Sequence, residues 1–184
     1  MQHQGTVTLE TERLRLRRFT PGDAEMMYAN WASDPEVTRF LTWPVHSSVD
    51  VTRQLLGYWS ANYEKPDYYQ WALELKDSGE VIGSISVVHM IEPLEEAEVG
   101  YCLGQRWWGR GLMPEALKQV LRYLFFEVGF NRVTAGHDID NPKSGRVMQK
   151  AGMLREGVRR QGGRNNRGFV DMACYAILRS DMEG

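Results

Sequence analysis

The chain has 184 residues, 42% of them hydrophobic and 25% charged, with a formal net charge of −2. That is enough for one domain with a substantial core, in proportions typical of a folded rather than a disordered protein. The acidic balance argues against general nucleic-acid binding, and no apolar run approaches the length of a membrane span. No basic–apolar–small signal segment opens the chain, so a cytoplasmic location is the default expectation. The two cysteines, Cys102 and Cys174, share no close pairing motif, and the four His form no ligand set. Neither a disulfide framework nor a metal site is expected.

Residues 1–8 read as a loose leader, followed by a single domain over 9–184. Arg13 to Phe19 alternates Leu14 and Leu16 with a basic face and predicts a half-exposed strand. Thr20-Pro21-Gly22-Asp23 is turn and cap chemistry, opening a helix from Asp23 to about Ala32. Asp34-Pro35 begins another turn, with a short helical piece over Glu36 to Phe40. Ser47 to Asp50 can cap a long helix reaching Tyr63, with Val51, Leu55, Tyr58 and Trp59 on one side. Tyr69 to Leu75 and Val81 to His89 read as strands joined by the Asp77-Ser78-Gly79-Glu80 turn. Ala97 to Leu103 is a further strand.

After a glycine-rich turn, Met113 to Val128 carries a wide apolar stripe (Ala116, Leu117, Val120, Leu121, Leu124, Phe125) and ends at Gly129. Arg132 to Ile139 is a strand and Asn141 to Ala151 a helix stopped by Gly152. Met153 to Arg159 and Phe169 to Leu178 form a last hairpin around a Gly/Asn/Arg-rich loop. The mixed order predicts an α/β (α+β) sandwich, with helices covering a twisted central sheet.

The turn itself, Gln105-Arg-Trp-Trp-Gly-Arg-Gly-Leu-Met113, is the most informative stretch. A glycine turn leading from a strand into a helix N-terminus converges N–H groups and positive dipole on an anion. Gly109 and Gly111 let a phosphate approach the backbone, and Pro114 suits the first helical turn. A P-loop needs a Lys after the second glycine, and none follows Gly111. A dinucleotide fingerprint needs a third glycine where this chain has Pro114.

What remains, Arg106-x-x-Gly109-x-Gly111, resembles the pyrophosphate turn of the GNAT acetyltransferase superfamily. The likeness covers nearly the whole element order. Glu98-Val-Gly-Tyr-Cys-Leu-Gly, Trp108-Gly-Arg-Gly, Glu115-Ala and Asn141-Pro-Lys-Ser-Gly-Arg-Val-Met-Gln-Lys-Ala-Gly-Met are similar to its ribosomal-protein N-terminal (alanine/serine) acetyltransferase branch. The resemblance implies one domain with a twisted, mixed and mostly antiparallel sheet, splayed between the fourth and fifth strands. It implies acetyl-CoA as co-substrate, with no metal, and an amine acceptor that is a protein N-terminus or a small molecule. The pantetheine arm would lie along the strand backbone that includes Cys102 and Leu103. The pyrophosphate would meet the N–H groups of Trp108, Gly109, Arg110, Gly111, Leu112 and Met113. Arg106 and Arg110 can neutralise phosphate, and Lys143, Arg146 and Lys150 can meet the 3′-phosphate or form a solvated face. Asn141 matches the residue that holds the pantetheine arm, and Ser144 the one assigned to protonate the leaving thiolate. Both also suit a helix cap.

Glu98 leads as general base, since strand alternation puts it on one face with Gly100 and Cys102. His137 is the rival base, a lone strand His that titrates near neutral pH. Tyr175 is a further candidate proton donor or a core tyrosine, and Asp138 and Asp140 can orient that turn. Trp31, Trp43, Tyr58 and Trp59 offer aromatic walls for the acceptor. Arg155, Arg159, Arg160, Arg164 and Arg167 crowd the final hairpin and suit an acidic partner. Two other readings stay open: a non-catalytic acyl-CoA sensor, and an RNA- or ribosome-binding module using those arginines. Membrane association is not expected, and the sequence leaves a homodimer open.

Overall fold

Alternation of Leu14 and Leu16 with arginines buries one side of a strand, and Trp71 and Leu73 do the same on its neighbour. Pairings of this kind build one eight-stranded sheet in the order β1-β2-β3-β4-β5-β6-β8-β7. The computed structural model describes residues 1–183, so Gly184 of the expected 9–184 domain lies outside the described residues. The strands are β1 Leu9–Glu10, β2 Leu14–Arg17, β3 Gln70–Leu75, β4 Val81–Ile91, β5 Glu96–Leu103, β6 Arg132–Asp138, β7 Leu154–Asn165 and β8 Gly168–Leu178. Every neighbouring pair is antiparallel except β5 and β6.

The helices are α1 Ala24–Met27, α2 Pro35–Thr38, α3 Val49–Asn62, α4 Leu112–Tyr123 and α5 Pro142–Lys150. α4 runs on through a wider π-type turn to Val128 and ends at Gly129, whose φ of 97° suits only glycine. α4 and α5 bury Leu117, Leu121 and Met148 on one side of the sheet, against Trp71, Ile85 and Val133. α1 and α3 cover part of the other side, where Phe19, Met27, Trp31 and Leu56 pack on Ala72 and Val81. Among the described residues no helix is long and apolar enough to cross a membrane.

Several local expectations change. α3 buries Thr52 and Leu56, whereas Val51 and Tyr58 face solvent. The helix is turned because Thr52 spends its hydroxyl on His46 Nδ1 at 2.8 Å, a polar anchor that an apolar count does not register. β7 extends to Asn165, past Arg159, because Gln161 at φ 46° and the irregularity between Arg159 and Gly163 let the strand resume pairing. Residues 1–8 form no helix or strand, yet Thr6 Oγ1 donates to the Tyr68 carbonyl at 2.9 Å and Tyr123 donates to the Gly5 carbonyl at 2.7 Å. His3 also meets the Tyr69 hydroxyl at 2.8 Å, so the segment lies along the sheet.

Arg17 ties the start of α1 to the sheet, with both terminal nitrogens on Asp23 (2.8 and 2.9 Å) and Nε on Glu74 (2.6 Å). Burial alone would raise the Asp23 carboxyl, but the hydrogen bonds from Arg17 and Thr20 outweigh it and hold it below its ordinary range. A depressed carboxyl contributes stability that is present above its unfolded value, about 3.9, and is lost as pH falls through the folded one. Asp23→Asn should therefore cost about 3 kcal/mol at pH 7, the scale for breaking one partner of a buried pair. In urea melts the gap from wild type should narrow as pH falls below the unfolded value and through the lowered folded one, closing once both states of Asp23 bind the proton.

Candidate active site

β5 and β6 run parallel and pair only at Glu96–Arg132, Ala97–Val133 and Glu98–Thr134. β5 then continues to Leu103 against β4, while β6 continues to Asp138 against β8. The strands part, and from Val99 onward the β6-facing edge of β5 has no strand partner. This is the expected splay; the short β1 moves it from the fourth and fifth strands to β5 and β6 in the full count. Such an edge can take up an extended ligand as if it were an added strand.

Beyond the end of β5, Gln105–Trp107 make a single 3-10 turn and α4 begins at Leu112. Gly109 and Gly111 stand at φ 77° and 76°, which strains any residue with a Cβ. Of the N–H groups expected to face a diphosphate, that of Trp108 is spent on the Gln105 carbonyl at 3.1 Å, whereas none of the described residues accepts from those of 109–113. A Cβ on Gly109 would have nothing within 4 Å, so the turn faces open space. Arg13 braces it from β2's approach, donating to the Arg110 carbonyl at 2.9 Å and pairing with Glu115 at 2.7 Å. Desolvation would raise the Glu115 carboxyl, but donors on Thr11 and Arg13 prevail and hold it below its usual range. The donors of the turn and the start of α4 are thus arranged before any anion arrives.

The expected cationic residues divide. Arg110 and Arg146 are exposed, with no ion pair among the described residues. Arg106 instead lies 3.5 Å from Glu80 and 5.1 Å from the Trp107 ring centroid. Lys143 Nζ sits 4.7 Å from the ring centroid of Trp108, joining α5 to the glycine turn. Trp108 is half-buried and its Nε1 donates to the Leu103 carbonyl at 2.7 Å, capping the end of β5. Trp107 is core.

Glu98 is half-buried with Gly100 and Cys102, at the last paired position before the strands part. Cys102 faces Ser84 Oγ at 3.3 Å, and burial pushes its thiol up to about 11, so it stays protonated at neutral pH. Asn141 occupies the N-cap of α5, but its side chain makes no cap bond; Ser144 N instead donates to the Asn141 carbonyl at 3.1 Å. The Asn141 amide makes no hydrogen bond among the described residues. Ser144 meets the Tyr101 hydroxyl, at 3.0 Å from its Oγ.

His137 is only 8% exposed and lies beneath α5, on the opposite side of the sheet from Glu98. Its Nδ1 donates to the Asp138 carbonyl at 2.8 Å, while Nε2 is buried without a partner against Gly145. The Tyr175 ring is 5.6 Å from it. Sequence reading passed over Tyr101; strand alternation sends it toward α5, away from Glu98, and that was the available signal.

The tip of the β7–β8 hairpin is tied to the segment after α2 and to the end of β6. Asn166 donates to the carbonyls of Leu41 (3.1 Å), Thr38 (2.9 Å) and Trp43 (2.7 Å), and Arg167 pairs with Asp138 (3.0 Å) and Asp140 (2.7 Å). Of the expected aromatic walls, Trp31 is fully buried and Tyr58 is 66% exposed on α3; Trp43 and Trp59 pack partly buried on the second core. Arg155, Arg159, Arg160 and Arg164 are exposed, without ion pairs among the described residues. No group of three or more His, Cys, Asp or Glu among the described residues is placed to hold a metal.

Residues 13–154 match the family model described as an acetyltransferase (GNAT) domain. The chain is 32% identical over 171 residues to an uncharacterized N-acetyltransferase, YoaA, of Bacillus subtilis, covering 93% of this chain and 96% of that protein. It is 30% identical to the ribosomal-protein-serine acetyltransferase of Escherichia coli, over 75% of this chain and 76% of that one. Among solved structures it resembles a GNAT-family acetyltransferase from Bacillus anthracis with a TM-score of 0.82 and 26% identity, covering 95% of this chain and 99% of that one.

Two glycines separate the close approach at α5 from helix propensity alone. A Cβ on Gly145 would stand 2.5 Å from His137 Nε2, whereas one on Gly57, in α3, would meet nothing within 4 Å. Gly145→Ala should destabilise by about 1–3 kcal/mol through overpacking. Gly57→Ala should stabilise by about 1 kcal/mol. Thermal melts of the two variants would check both signs.

Proposed function

The chain belongs to the GNAT acetyltransferase family, and we propose that it transfers acetyl from acetyl-CoA directly to the primary amine of a protein N-terminus. The observation that carries this reading is the parting of β5 and β6 with the glycine turn at its end. The residues present fit the donor. The open edge of β5 from Val99 to Leu103, with Cys102 between, would hold the extended arm, helped by the Asn141 amide. The partnerless N–H groups of 109–113 would hold the diphosphate. We assign Arg110, within the turn, and Lys143 and Arg146, on α5 whose Lys143 rests on Trp108, to the phosphates, whereas Arg106 is drawn toward Glu80.

Acetyl-CoA, when bound, supplies a thioester carbonyl open to attack by an amine and a thiolate leaving group. The protein then has to make the amine neutral, align it and assist departure. Glu98 is our base, acting directly or through water, because its carboxylate lies at the point where the strands part. His137 is the weaker candidate, buried against Gly145 on the opposite side of the sheet from Glu98. Ser144 is our donor to the departing sulfur, as a hydrogen bond from its hydroxyl at the first turn of α5. An acyl-enzyme on Cys102 is disfavoured, since a thiol held up to about 11 is a poor nucleophile at neutral pH.

The protein N-terminus as acceptor is supported by the name of the Escherichia coli relative, a ribosomal-protein-serine acetyltransferase. The direct test supplies acetyl-CoA with peptides bearing free or blocked N-termini, peptides with internal lysine, and small polyamines, and follows thiol release and acceptor mass. Acetylation at the α-amine alone supports the proposal; modification of small amines only would overturn its acceptor. Tight acetyl-CoA binding with no turnover on any amine would instead make the protein a sensor. Glu98→Gln should lower kcat about 100-fold, the usual scale for losing a general base, while Cys102→Ala should stay within about twofold.

A further inference from the structure

Beyond the point where β5 and β6 part, the Tyr101 side chain reaches from β5 to α5. It stands three residues beyond the last β5–β6 pair, with its ring packed against the main core and its hydroxyl on the first turn of α5. That hydroxyl lies 2.9 Å from the Ser144 carbonyl and 3.0 Å from Ser144 Oγ. Lys143, the preceding residue, rests on Trp108. The first turn of α5 is thus held to β5 and its turn at two points, while its own Asn141 side chain makes no cap bond.

We infer that Tyr101 is a positioning residue: it fixes the Ser144 hydroxyl and the start of α5 against the donor slot. The inference rests on the acetyl-transfer reading above for its consequence, but not for its geometry. A phenol has one proton for two acceptors. When it is given to the Ser144 carbonyl, the 3.0 Å contact is completed by the Ser144 proton pointing back at the Tyr101 oxygen, away from the slot. When it is given to Ser144 Oγ, the serine proton is free to turn into the slot. Tyr101 therefore sets which way Ser144 donates. Burial pushes the phenol well above its ordinary range, so it remains a donor at neutral pH and does not itself titrate. His137 and Tyr175, the other polar side chains beneath this turn, form no hydrogen bond to Ser144.

The test compares wild type, Tyr101→Phe, Ser144→Ala and the double variant. Tyr101→Phe keeps the ring and should melt cooperatively. Its kcat should fall about five- to tenfold, the fold-change expected for one lost hydrogen bond, with the acceptor KM within about twofold. In the Ser144→Ala background the same change should move kcat by less than about twofold, because Tyr101 acts through Ser144. Calorimetric titration with acetyl-CoA, which needs no turnover, should show Kd weakened about fivefold in Tyr101→Phe, again on the scale of a single hydrogen bond. Equal kcat losses in both backgrounds, or an unchanged kcat and Kd in Tyr101→Phe, would overturn the proposal while leaving acetyl transfer intact. If no variant and no wild type acetylates any amine, the acetyl-transfer reading fails, and the Kd comparison alone decides whether Tyr101 holds α5.

Discussion

The parallel contact of β5 and β6 stops after three residue pairs, and most of what is particular to this molecule follows from that stop. β5 stays registered on β4 to its end, while β6 leaves with β8, so no single strand can satisfy both edges. Backbone groups inside a sheet are rarely left without partners. Here the exposed edge is managed locally: the Trp108 indole takes the last carbonyl of β5, and Tyr101 spans to α5. What is left open between them is a short run of extended backbone inside the sheet, where a ligand can take the place of a strand.

The supports around this gap are ionic and come from distant parts of the chain. Arg13 reaches the glycine turn and Glu115 from the start of β2, and Arg17 fixes α1 through Asp23 and Glu74. On the far side, Asp138 collects Asn165 at 2.8 Å and Arg167 at 3.0 Å, so the β7–β8 tip is tied to the end of β6. Desolvation works against the Asp138 carboxyl, and the Asp140 N–H, Asn165 and Arg167 together more than offset it. These are half-buried pairs with several hydrogen bonds each, the class of ion pair whose geometry is worth most. A site assembled from loops gains its rigidity from such cross-links, since loops carry little packing of their own.

Much of the sheet was legible because its strands alternate cleanly, and α4 because its stripe is wide. The glycine turn was legible for a sharper reason: Gly109 and Gly111 occupy backbone conformations that few other residues tolerate. Two features were hidden. The two-residue strand β1 is too short to carry a pattern, and the true face of α3 depends on Thr52 meeting His46, a tertiary bond. The same limit applies to the site. Arg106 matched a phosphate motif in sequence but has Glu80 and Trp107 as neighbours in space. Tyr101 lay inside the Glu98-Val-Gly-Tyr-Cys-Leu-Gly stretch with no role that spacing could give it, and stands against Ser144, 43 residues away. Spacing along the chain identifies backbone devices well and side-chain partnerships poorly.

Amide hydrogen exchange of the protein with and without acetyl-CoA tests the central claim most directly, because it reads the backbone groups that the gap leaves partnerless. Protection confined to residues 99–103 and 109–113, with smaller effects at the start of α5, is the predicted result. Protection elsewhere, or none at these segments under saturating ligand, would contradict the account: the parted strands would then be a structural irregularity and not the donor site.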